Sequence, residues 1–167
     1  NLYFNLAGLT RDRLPSVSLY ADLLTRLRTK KHTLPKLQEL IKANLGTLVF
    51  GTDAYSADSR NEACIPVLSA YCSVLEQNID TAVELILEIL QETVFEKETI
   101  LPVVQQHVES SRQMLINAGH SAAAVRAGAH FSAESLAREY MIGYEAARWV
   151  TDFKNNYDSR IEQFIDD

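Results

Sequence analysis

Cysteine, tryptophan, proline and glycine are all scarce here: two, one, four and six residues in a chain of 167. Cys64 and Cys72 stand eight apart, which on a strand puts both on one face and too far apart to bridge. That spacing fits neither a zinc knuckle nor a C-x-x-C redox pair, so reduced, buried thiols are expected and an intracellular compartment is favoured. No apolar run approaches the roughly 18 residues that suggest a membrane span. The N-terminus lacks the basic, apolar, small-residue order of a signal peptide, so a soluble protein with no membrane partner is expected. Nor does the chain begin with methionine. It opens on Leu2-Tyr-Phe-Asn-Leu6, which reads as a strand, and an excised part of a larger protein is expected.

Positive charge is scarce beyond residue 60. Residues 1–60 carry nine Lys or Arg against five acids, and residues 61–167 carry seven against seventeen. A phosphate-binding protein needs a clustered basic face, so nucleic acid is not an expected partner. The largest basic group, Arg26-Leu-Arg-Thr-Lys-Lys31, reads as the solvated last turn of a helix, where cations complement the macrodipole.

What the chain does have is 47 % hydrophobic residues, enough for one sizeable core. Leu2–Leu9 alternates like a strand. Leu14-Pro-Ser16 leads into a helix with Val17, Tyr20, Leu23, Leu24 and Leu27 on one stripe. After a turn at Lys30–His32, Thr33 and Pro35 open a second helix lined by Leu37, Leu40, Ile41 and Leu45, which Gly46 is expected to end. Thr47–Tyr55 and Ile65–Leu75 read as strands separated by a polar loop, Ser56–Glu62, with Pro66 at a strand start or on an edge.

From Asn78 the pattern is helical. Ile79, Val83, Ile86, Leu90 and Val94 form an apolar stripe, opposed by acids at steps of four: Asp80, Glu84, Glu88 and Glu92, with Glu76 before and Glu96 after. Like charges so spaced cost a few tenths of a kcal/mol each, so this helix depends on burying its apolar side. The plain reading of the ladder is a solvated face; the functional one is a surface facing something basic, either another domain or a cationic peptide. A long helix from Thr99 holds Pro102 in its first turn, and Gly119 stops it. Ser121 is expected to cap a short helix whose small residues, Ala122 to Ala129, suit close packing. Ser132 caps the next helix, Gly143 punctuates, and Tyr144–Asn155 is amphipathic on Ala147, Trp149, Val150 and Phe153. Ile161 and Phe164 anchor a last helix.

These elements predict an α+β fold: a small antiparallel or mixed β-sheet packed on one face by helices, with a helical C-terminal extension. One domain is expected over residues 1–167, an α+β core over 1–118 and the extension over 119–167.

The residues of catalysis are missing from the pattern. His32, His107, His120 and His130 lie in neither H-E-x-x-H nor H-x-x-E-H, the spacings that turn two imidazoles and a carboxylate toward one zinc. His107 and Glu109 are two apart on a helix and point about 200° from each other. His107 therefore reads as a histidine at the core edge, and His120 as a hydrogen-bonding or capping residue at its turn. Gly-x-Ser-x-Gly and Walker-type loops are absent, and Ser110 and Ser111 near His107 define no triad. The sequence offers no catalytic residue, cofactor ligand or metal ligand.

Leu2-Tyr-Phe-Asn-Leu-Ala-Gly8, the helix at Leu19–Leu27, Gly46-Thr-Leu-Val-Phe50, Leu85–Thr93 with Phe95, Gly119-His120, Arg126-Ala127, Phe131-Ser132, Gly143 and Phe153–Asn156 follow one another in an order that resembles the presequence-protease group of insulinase-type zinc metallopeptidases. The resemblance implies two homologous halves enclosing a chamber in which unfolded peptides are cut, the first half binding zinc through H-x-x-E-H and a later glutamate. There a zinc-bound water, activated by a glutamate base, would attack a peptide carbonyl. This chain resembles the start of the second half, with Ser16-Val-Ser-Leu-Tyr20 where the first half bears its histidines. The resemblance thus implies a non-catalytic domain with no cofactor of its own, zinc in the parent enzyme, and as partners the parent's other domains and unfolded peptides. The family's assisting arginine and tyrosine are expected in the following domain, so Arg138 and Tyr140 are not assigned that role. Two other readings remain: a structural subunit without activity, and an independent helical interaction module built on Ala122–Ala129.

Overall fold

A computed structural model describes residues 1–56 and 63–166. Three strands, β1 (Leu2–Asn5), β2 (Leu45–Ser56) and β3 (Cys64–Val74), form one antiparallel sheet in the order β1-β3-β2. Eight helices accompany it: α1 (Leu14–Leu23), α2 (Leu34–Asn44), α3 (Ile79–Glu92), α4 (Lys97–Asn117), α5 (Gly119–Gly128), α6 (Ala133–Ile142), α7 (Tyr144–Asn155) and α8 (Tyr157–Asp166). The architecture is α+β, with helices on one face of the sheet and a run of helices at the C-terminal end.

Period-two alternation decides which strand residues meet the helices. Phe50, Leu68 and Ala70 point to the helical side and join Ala21, Leu24, Leu37, Ala82, Leu85, Ile86 and Ile89 in one core. A second core lies beyond α1, where Leu19, Leu23 and Leu27 meet Ile100, Val104, Val150, Phe153, Tyr157 and Ile161. α1 therefore contributes apolar side chains to both cores and lies between them. Within the second core Trp149 stacks on Phe153 at 5.2 Å, and Tyr157 and Phe164 pack around the same ring. The Tyr157 hydroxyl donates to the Lys97 carbonyl at 2.6 Å, and burial pushes its pKa up to about 12.

Several boundaries differ from the sequence expectation, each for a local reason. β1 ends at Asn5 and not at Leu9, because the Asn5 side chain accepts from the Ala7 N–H at 2.8 Å and turns the chain. α2 ends at Asn44, so Leu45 and Gly46 belong to β2 and Gly46 is not a helix stop. Asn78 donates to the Asn44 carbonyl at 3.0 Å and ends the helix there. Gly46 sits at a register shift between Leu45 and Thr47, where a Cβ would stand 2.6 Å from Ser73 Oγ. α4 starts at Lys97, which places Pro102 inside the helix and beyond its first turn. Ala118, not Gly119, closes α4; Gly119 opens α5, and Ser121 makes no side-chain cap there. The loop expected at Ser56–Glu62 gives up Ser56 to β2, and its remaining residues lie outside those described.

Other expectations match. Ser132 Oγ accepts from the Ser135 N–H and caps α6, and Gly143 separates α6 from α7. Pro66 lies near the start of the central strand. Its carbonyl accepts from Leu6 N–H at 2.9 Å, so its missing donor points past the end of β1 and no β2 bond is lost.

Candidate functional site

The sheet face turned away from the helices is uncovered. Alternation puts Tyr3 of β1, Val49, Gly51 and Tyr55 of β2, and Ile65, Val67, Ser69 and Tyr71 of β3 on it. Tyr3, Val49, Tyr55, Ile65 and Tyr71 are between 39 % and 55 % exposed, so the face is apolar, aromatic and open to water. Tyr3 and Tyr55 meet edge to face at 6.0 Å. Their pairing lies over the short row Asn5, Val67 and Asp53, and Val67 is buried on this otherwise exposed side. Gly51 and Ser69 make the middle of the face shallow, with Ser69 Oγ donating to the Gly51 carbonyl at 3.2 Å. Contiguous exposed apolar surface of this kind marks a contact surface.

At the opposite end of the molecule the acid ladder meets a basic partner within the same chain. Glu88 is 8 % exposed and accepts at one oxygen from Thr29 Oγ1 and from His32 Nδ1, the latter at 2.8 Å. Lys31 pairs with Glu92 at 2.8 Å, and Arg28 pairs with Glu96. Backbone bonds fasten the same segment: Lys30 N–H to the Glu92 carbonyl and Val94 N–H to the Arg28 carbonyl, both at 2.9 Å. Burial disfavours the Glu88 carboxylate, but the hydrogen bonds from Thr29 and His32 outweigh it and hold its pKa below the ordinary glutamate range. The ladder is therefore not a uniformly solvated face, and Arg28 to His32 is not a free helix end.

The remaining singled-out residues are held structurally. His107 Nδ1 lies 3.0 Å from Asp22, which also pairs with Arg26. His120 is exposed within the first turn of α5. Arg138 binds Asp53 at 3.0 Å and Glu134 at 3.2 Å, and Tyr140 is half-buried in a small cluster with Leu14 and Ala54. Cys64 and Cys72 are free and half-buried, less covered than expected; burial and then Glu134 push the Cys64 thiol up. The small residues of α5 are largely exposed; close packing is confined to Gly128, where a Cβ would stand 3.0 Å from Ser135 Oγ.

A pairing the sequence reading missed joins Arg126 of α5 to Glu139 at 3.0 Å and to Glu145 at 2.9 Å. Glu139 is 2 % exposed, and its second oxygen has no partner among the described residues. Among those residues no group of three or more His, Cys, Asp or Glu could share a metal ion. With His32 and His107 each committed to a carboxylate, the residues present do not fit a zinc site. No helix of the described residues is long and apolar enough to cross a membrane.

Fold and surface thus define a scaffold domain: two cores arranged around α1, one open sheet face, and polar groups engaged with one another. Residues 1–153 match the family described as associated with the peptidases of metallopeptidase family 16, subfamily C, and the chain belongs to that family. It is 26 % identical over 149 residues to the mitochondrial presequence protease of Yarrowia lipolytica (strain CLIB 122 / E 150), covering 89 % of this chain and 15 % of that protein. It is 24 % identical over 121 residues to Protein HypA of Clostridium perfringens (strain 13 / Type A), covering 72 % of this chain and 12 % of that protein. The chain thus spans only a small part of the length of these relatives. It is a peptidase-associated domain of presequence-protease type.

Proposed function

We propose that this chain is a non-catalytic structural domain of a zinc-dependent metalloendopeptidase that degrades unfolded peptides in an enclosed chamber, and that its open sheet face forms part of the chamber wall. The observation that carries the reading is the family match over residues 1–153, which joins an uncovered apolar sheet face to a peptidase lineage. A face of tyrosines, valine and isoleucine suits unfolded peptides, whose apolar side chains are accessible, and offers nothing specific to a folded protein's polar exterior. The parent's other domains would supply the metal and the reacting groups, and its compartment would be soluble and intracellular.

The test uses the parent polypeptide that contains this chain. Its zinc content is measured together with cleavage of an unfolded peptide and of the same sequence held in a folded protein. Zinc at one equivalent, cleavage of the unfolded form only, and a severalfold rise in KM on changing Val49 and Tyr71 to Ser support the reading. It fails if the parent cuts no peptide, which would leave a structural subunit, or if the 167-residue chain alone binds zinc stoichiometrically and hydrolyses peptides.

A further inference from the structure

β2 is an outer strand of the sheet, and the register tells which of its backbone groups are free. The Leu6 N–H to Pro66 carbonyl bond shows that even-numbered residues of β3 direct their peptide groups toward β1. Odd-numbered residues of β3 therefore bond β2, through the residues opposite them: Val49, Gly51, Asp53 and Tyr55. The N–H and C=O groups of Leu48, Phe50 and Thr52 point away from the sheet and have no partner among the described residues.

The row is closed at both ends. Toward the C-terminus, Ala54 also points outward, but Asp53 Oδ1 accepts its N–H at 2.8 Å and Arg138 Nη2 donates to its carbonyl at 3.4 Å. Arg138 and Asp53 bind each other as well, so the pair caps the edge there as a unit. Toward the N-terminus the register shift between Leu45 and Thr47 ends the regular ladder. Natural proteins blunt exposed edges with charges and bulges of this kind, and here both devices stop short of residues 48–52.

Phe50, Gly51 and Thr52 line a depression of about 280 Å³. Its other walls are the stretch of α4 around Ser111 and Met114 and the junction of α6 and α7 around Ile142 and Ala146. Met114 and Ile142 are 40 % and 50 % exposed.

Resting on the chamber reading, we propose that the edge of β2 from Leu48 to Thr52 receives an extended stretch of the unfolded peptide substrate as an added antiparallel or parallel strand. Main-chain groups of Phe50 and Thr52 hold the peptide backbone whatever its sequence, as strand addition does elsewhere. Because strand side chains alternate, one residue of the peptide faces the apolar wall of Met114, Met141 and Ile142, and its neighbours face the open side beside Val49. The preferred substrate is therefore an extended segment with apolar residues at alternate positions. The walls flanking this short edge suit a single strand, whereas a second copy would have to bring a whole sheet and its helices into the same depression.

Hydrogen exchange in the parent polypeptide, stripped of metal to prevent cleavage, tests this directly. Adding a saturating unfolded peptide is expected to slow exchange in the 48–52 segment at least severalfold. Absence of that protection overturns the proposal. So does protection already complete without peptide, as another strand of the parent would give, or protection that depends on protein concentration alone, as self-association would give.

Thr52→Pro removes an outward N–H and no ladder bond, so in the active parent it is expected to raise KM on the order of tenfold, the loss of a main-chain hydrogen bond, with kcat within about twofold. Thr52→Val keeps the N–H and loses only the hydroxyl contact with Ser18, and should leave KM unchanged. If Thr52→Pro does not fold, a peptide N-methylated well away from its cleavage site is used against the wild type. An unchanged KM in that measurement overturns the proposal. An active parent with no such effect removes strand addition and leaves the chamber reading standing, whereas an inactive parent removes the chamber reading.

Discussion

His32 Nδ1 lies 2.8 Å from Glu88 Oε1, and through this contact the segment after α1 is closed onto the C-terminal half of α3. Thr29 donates to the same oxygen and is itself 2 % exposed, so the carboxylate is the centre of a small buried network. Partly satisfied networks of this type are costly, and this one is joined by backbone bonds on both sides.

Glu88→Gln should therefore destabilise the domain by about 1–3 kcal/mol at pH 7, the range for a buried charged hydrogen bond. The depressed Glu88 pKa gives the sign with pH. A carboxyl whose folded pKa lies below its unfolded value contributes stability that is present above the unfolded value and lost as pH falls through the folded one. Urea unfolding from pH 7 to about pH 3 should thus show wild type losing more stability than the variant below about pH 5. Parallel curves would refute the assignment.

Gly143→Ala and Gly119→Ala should behave oppositely. A Cβ at Gly143 would stand 2.8 Å from Glu139 Cα and 2.3 Å from its Oε2, a crowding that α6 can relieve only by moving, and a loss of about 1–3 kcal/mol is expected. Nothing lies within 4 Å of a Cβ at Gly119, the first residue of α5, and there the change should be neutral or stabilising by up to about 1 kcal/mol. Thermal melts of the two variants side by side decide it.

Phe153→Ala should cost about 3–5 kcal/mol, because the ring is 1 % exposed and packs against Trp149, Tyr157 and Phe164. Trp149 is the only tryptophan, so its fluorescence reports the loss of the stack in the same experiment. An unaltered emission spectrum would mean that the ring pair does not persist in solution.

Arg126→Ala should destabilise by about 2 kcal/mol, less than a fully enclosed pair, since the arginine side chain is half exposed while Glu139 is buried. Adding Glu139→Gln to that variant removes the stranded charge and should recover part of the loss. A double-mutant cycle in chemical denaturation measures the coupling, and strict additivity would exclude it.

The elements that announced themselves in the sequence are those fixed by their own periodicity. Ala147, Val150 and Phe153 recur at helical steps, and α7 spans Tyr144–Asn155 as the pattern predicts. Ser132 and Gly143 likewise carry capping and punctuation signals that operate within a few residues. What escaped was decided by distant partners. Gly46 looks like a helix stop until Ser73 is known to face it across the sheet. Glu88 looks like its exposed neighbours on the ladder, and only residues 29–32, some sixty positions earlier, remove it from water. The open face and the free stretch of β2 were equally hidden, because alternation predicts two sides of a strand without saying which one the helices cover, or which strand ends the sheet.

The order β1-β3-β2 also bears on how the chain acquires its shape. The opening strand, Leu2–Asn5, has its mate at Val67–Ala70, more than sixty residues downstream, while β2 and β3 are neighbours in sequence. During synthesis the N-terminal segment must wait, unpaired, until the later hairpin has left the ribosome, and its docking is the long-range closure that slows assembly. A translation product arrested before residue 64 should accordingly leave Tyr3 and Phe4 accessible to a protease that the finished domain resists.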